Sequence, residues 1–165
     1  MREQWKDRIK PNLDHITSLF DNQELGAFIA GHLLIESVIV QLIELKLTEN
    51  DNIDLFDLSF PSKVNMARSR GLIDNKMCEF LLEVNNFRNR LAHRLGAPID
   101  FDRMYRLVKI ASESGIEFSD TTIHSDIEKS REWYGVQGII QELFQNAAQD
   151  LSFLMEQHGG EFQFA

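Results

Sequence analysis

Apolar residues recur along this chain at intervals of three and four, the spacing of helices that bury one face, and no stretch alternates every second residue as a half-buried strand does. The pattern predicts an all-α bundle of about five to six helices. A first helical segment covers 4–20, with Pro11 as a restart, since proline suits a first turn and breaks an interior. Asp21 or Asn22 caps a second helix over 23–47, with Phe28, Leu33, Ile35, Val38, Ile43 and Leu47 among its apolar positions; it reads as the central core helix. The acidic run 49–54 is a loop, and Phe60-Pro61-Ser62 opens a short helix that ends near Gly71. Asp74 caps the next helix, which reaches His93 or Arg94 and is stopped by Gly96-Ala97-Pro98. Asp100 or Asp102 begins another through 114, the segment 115–125 reads as a polar loop, and a long C-terminal helix covers 126–157 before a frayed tail. No repeat or linker divides the chain, so 1–165 reads as one domain, its core at about 24–114 and its N- and C-terminal helices appended.

Composition narrows the class. With 165 residues, 43% of them apolar, the chain can bury a core and is not disordered. Its one cysteine, Cys78, forms no internal disulfide, and the opening MREQWKDRIK lacks the basic-then-apolar pattern of a secretory signal, so the expected location is cytoplasmic. The apolar run 25–43 approaches membrane-spanning length but carries His32, Glu36 and Gln41; a mid-membrane glutamate is costly, and a buried helix of a soluble protein is expected, with no membrane partner.

Charge is distributed unevenly. The net charge of −9 opposes docking on a polyanion. Yet residues 61–110 hold ten basic residues against five acidic ones, while the rest of the chain holds seven against 21. The middle third is therefore the part suited to an anionic ligand, unless its charges scatter over a solvated surface.

The helix that begins after Asp74 concentrates the chemistry. On a wheel of about 100° per residue, Val84, Phe87 and Leu91 fall within about 40° of Phe80 and form with it the buried stripe. Leu82, Asn86, Asn89 and His93 line the opposite side, with Arg88 on the flank and Arg90 and Arg94 at the edge of the apolar stripe. The run Arg88-Asn89-Arg90-Leu91-Ala92-His93 resembles the R-x-x-x-x-H motif of the HEPN superfamily, with a polar residue after the arginine. The longer run LSFPSKVNMARSRGLIDNKMCEFLLEVNNFRNRLAH, preceded by a helix carrying Glu36, resembles the branch related to the mannitol operon repressor. The resemblance covers roughly 24–101.

That resemblance implies a HEPN-like helical bundle, a homodimer, and metal-independent RNA cleavage through the 2′-hydroxyl, without a cofactor. Carried onto this chain, it implies His93 for proton transfer, Arg88 for the scissile phosphate and Asn89 for orienting one of them. Arg90, Arg94, Asn86 and Glu36 are the expected substrate-binding residues. Such proteins occur in toxin–antitoxin, defence and RNA-processing systems, which implies a neutralising or regulatory protein partner. The alternative is a non-catalytic regulatory or protein-interaction module, with Arg88 paired to Glu36 inside the fold and His93 closing its helix at the negative dipole end.

Other arrangements carry less. His32 and Glu36 sit four apart on one helical face, but two ligands do not make a zinc site. His15, His124 and His158 have no partner at ligand spacing, and Cys78 reads as a small core residue. Nucleophilic-serine signatures, phosphate-cradling glycine loops and a recognisable helix-turn-helix are missing from the sequence. Trp5, Trp133, Tyr134, Met66, Met77, Met104 and Met155 are expected mainly in the core.

Overall fold

The computed structural model describes residues 13–94 and 96–164. Of the first helical segment expected over 4–20, the part before residue 13, with Trp5 and Pro11, lies outside the described residues. Among those described the chain is all-helical: α1 (Leu13–Phe20), α2 (Gln23–Glu44), α3 (Phe60–Ser69), α4 (Asn75–His93), α5 (Phe101–Glu113), a short α6 (Thr122–Ser125) and a long α7 (Ile127–Gln157), with a 3-10 turn at Leu55–Asp57.

Five of the described helices begin where a side chain satisfies a free backbone N–H group. Asn22, Ser59, Asp74, Asp100 and Asp126 each accept a bond from the first turn of α2, α3, α4, α5 and α7. Of the two residues expected to open α5, it is Asp100 that caps it. Helix α3 closes at Gly71, whose φ of 72° lets the Leu72 N–H turn back to the Ala67 carbonyl at 2.9 Å. Helix α2 stops at Glu44, three residues before the expected end, and α6 forms within the segment read as loop.

The core is built around α2. Phe28 is fully buried where three helices meet, stacked on Phe87 of α4 at 4.8 Å and edge-on to Phe144 of α7 at 5.1 Å. Beyond it, Ile35, Val38, Ile39, Leu42 and Ile43 of α2 share one apolar core with Ile139, Ile140, Leu143, Ala147 and Leu151 of α7. Thus α7, expected as an appendage to a core over 24–114, supplies part of that core. Gly31 permits the close approach of these two helices, because a Cβ there would stand 2.2 Å from the Phe144 ring.

Helix α2 is long and apolar enough to cross a membrane, but half of its most apolar stretch is buried inside the protein, which is compatible with a soluble protein. Leu33, expected among its core positions, is 59% exposed.

Helix α7 departs from the regular helix expected over 126–157. Gly135 has φ 61° and ψ −172°, which only glycine adopts readily, and breaks the helix near its start. Ahead of the break Arg131 pairs with Asp102 and lies 5.3 Å over the Phe101 ring, while Ser130 donates to the Ile123 carbonyl. Tyr134 donates its hydroxyl to Asp120; burial first, then that carboxylate, pushes the phenol pKa up to about 12. Trp133, expected in the core, is 58% exposed. Met104 and Met155 are buried, Met66 and Met77 half-buried against the core, and Cys78 is buried with its Sγ 3.9 Å from Asn65 Oδ1.

Candidate functional site on helix α4

Two packing surfaces orient α4. Phe80, Leu81, Val84, Asn85 and Phe87 are buried against the other helices, while Asn86, Arg88, Arg90, His93 and Arg94 are exposed and Asn89 is half-buried. Leu82, placed on the polar side by the wheel, is half-buried against the core, and Leu91, placed on the buried stripe, is half-buried too. The remaining polar side matches the expected Asn86, Asn89 and His93 surface.

Glu36 does not pair with Arg88. Its Oε1 accepts from Lys63 Nζ of α3 at 2.8 Å, an ion pair whose lysine side chain is 6% exposed and whose glutamate is 25% exposed. The only hydrogen bond of the Arg88 guanidinium among the described residues is to its neighbour Asn89, at 3.4 Å between Nη1 and Oδ1. Arg88 still lies within electrostatic reach of α2. His32, buried beside Glu36 with its ring 4.6 Å from Phe60, has its pKa lowered by burial first and by Arg88 next; Glu36 and a bond with Asn85 oppose that shift. The His32 Nε2 has no hydrogen-bond partner among the described residues.

The predicted residues therefore divide among three places. Glu36 joins His32, Lys63 and Asn85 in a polar cluster between α2, α3 and α4, with Arg88 at its border. Asn86, which donates to Glu83 Oε1 at 3.1 Å, shares the open face of α4 with Asn89 and His93. Arg90 and Arg94 lie on the edge toward α5, in a recess of about 210 Å³ with Phe87, Leu91, Pro98, Ile99 and Arg103. A second recess of about 340 Å³ shares Phe87, Arg90 and Arg103 and adds Glu83, Arg106, Leu107 and Ile110.

Five residues of helix separate Arg88 from His93 by about 140° of turn and about 7.5 Å of rise, so the two point in different directions from one α4. The arrangement offers a guanidinium with no carboxylate partner among the described residues, an amide touching it, and an exposed imidazole at the helix end: a cation for a phosphate and a group able to exchange a proton. Among the described residues, no group of three or more His, Cys, Asp or Glu side chains could hold a metal ion.

Sequence reasoning missed Lys63, Asn85, Arg103 and Arg106. Asn85 carried a faint signal, falling at about 140° on the wheel, between the buried stripe and the polar side. Lys63 carried none, because a lysine on a short helix reads as solvated until a carboxylate from another helix is found above it. Set against protein-family models, curated proteins and solved structures, the chain gives no significant match.

Proposed function

We propose that this chain is a metal-independent endoribonuclease of the HEPN type, cytoplasmic and active as a homodimer, of the kind that serves as a toxin or defence component. The observation that carries this reading is the Lys63–Glu36 ion pair: it occupies the carboxylate that would otherwise hold Arg88 inside the fold, and the guanidinium is left exposed beside Asn89. A guanidinium that no carboxylate engages among the described residues keeps most of its donors for phosphate oxygens.

In this reading, an RNA 2′-hydroxyl attacks the adjacent phosphorus, the P–O5′ bond breaks, and a 2′,3′-cyclic phosphate and a 5′-hydroxyl form. Arg88 stabilises the charge that grows on the non-bridging oxygens. Asn89 holds the guanidinium in position through its Oδ1. His93 moves the proton, taking it from the 2′-hydroxyl or giving it to the leaving 5′-oxygen. Because Arg88 and His93 diverge on one helix, a second α4 facing the first lets the arginine of one protomer meet the histidine of the other.

The test is incubation of the purified protein with end-labelled RNA in EDTA, beside Arg88→Ala and His93→Ala. Cleavage to cyclic-phosphate ends is expected, falling on the order of a hundredfold or more in each variant while circular dichroism stays unchanged. Equal background in all three would leave the non-catalytic regulatory module as the better account.

A further inference from the structure

Among the described residues, the trough between α4 and α5 gathers more positive than negative side chains. Arg90 and Arg94, one helical turn or about 6 Å apart along α4, face Arg103 and Arg106 of α5 across the two adjoining recesses. Among the described residues, two carboxylates line it. Glu83 already accepts from Asn86, and Asp100 caps α5 through the Asp102 N–H, its other oxygen standing 3.9 Å from Arg103 Nε. Among the described residues no carboxylate comes within ion-pair distance of Arg90, Arg94 or Arg106. In a chain of net charge −9, this strip attracts an anion that the rest of the molecule repels.

The lining also selects among anions. Its basic residues are all arginines, whose planar guanidinium pairs with phosphate oxygens two at a time and stacks on bases. Its floor of Phe87, Leu91, Ile99, Leu107 and Ile110 is apolar and suits the faces of unstacked bases, which a duplex keeps inside its own stack. We infer that the trough holds single-stranded RNA, phosphates along the two arginine rows and bases toward the floor. Its identity as RNA rests on the nuclease reading above; the preference for an anionic strand rests on the trough alone.

The experiment measures anisotropy of a short fluorescein-labelled single-stranded RNA in EDTA, with every protein carrying His93→Ala so that the probe stays intact. Adding Arg103→Ala and Arg106→Ala is expected to weaken binding on the order of tenfold and to flatten the dependence of log K on log salt by about 1.4. Arg103→Lys with Arg106→Lys keeps the charge and most of that slope. Arg68→Ala with Lys109→Ala, equal in charge but outside the trough, leaves binding at the parental level. The inference is overturned if the parent does not bind, if the trough alanines bind as tightly as the parent, or if an oligoglutamate peptide binds the trough in preference to RNA. Cleavage is scored separately on the unsubstituted protein. Trough-dependent binding without cleavage removes the nuclease reading and keeps an RNA-binding trough, whereas cleavage with trough-independent binding does the reverse.

Discussion

Removing Glu36 and removing Lys63 are different changes, because the two partners are buried to different depths. The lysine is almost fully enclosed, so Glu36→Ala strands a charge that water barely reaches, whereas Lys63→Met leaves a carboxylate that can hydrate. Glu36→Ala is expected to cost about 2 kcal/mol or more and Lys63→Met distinctly less, as read from urea midpoints. His32, in the same cluster, predicts the sign of a pH effect. Burial holds its folded pKa below the ordinary value near 6.5, so the unfolded chain binds the proton more readily. The associated stability is complete above about pH 6.5 and is lost as pH falls from there through the folded pKa. Urea melts at about pH 7.5 and about pH 5.5 should therefore differ less in His32→Gln than in the unsubstituted protein. Arg88, Asn89 and His93 were legible as residues because one helix and its wheel define their exposure. The fate of Glu36 was not, since its partner comes from a helix 27 residues away in sequence.

The helices themselves were legible wherever a local signal exists: a capping Asn, Ser or Asp at the start and Gly71 at the end of α3. What escaped depends on where one helix meets another. Three glycines separate these cases. Gly31→Ala drives a methyl group into the enclosed Phe144 ring and should destabilise by about 1–3 kcal/mol. Gly135→Ala meets open space but must hold a backbone conformation that alanine resists, costing a similar amount, about 1–3 kcal/mol, for a different reason. Gly26→Ala, on the exposed side of α2 with nothing within 4 Å, should instead stabilise by about 0.5–1 kcal/mol. Thermal or urea unfolding of the three variants checks both signs. Periodicity could not reveal the break at Gly135, because the residues on either side keep the spacing of a helix; its supports, Tyr134 on Asp120 and Arg131 on Asp102, are long-range.

For the molecule as a whole, the sequence carried the all-helical class and the core role of α2, but not where the charge gathers. Ten basic residues in the middle third could have been spread around a bundle; folding α5 against α4 brings Arg103 and Arg106 beside Arg90 and Arg94, and that neighbourhood exists only in three dimensions. The role of 126–157 was hidden likewise, since an amphipathic helix does not announce which partner receives its apolar side. Cys78 has a practical consequence at this scale. It is the single thiol of the chain, enclosed on α4 between the core and α3, so a disulfide reagent in native buffer reacts only when that seam parts. The labelling rate, referred to that of the unfolded chain, becomes an internal clock for opening of the helix that carries Arg88 and His93, readable under the same conditions in which RNA is offered to the protein.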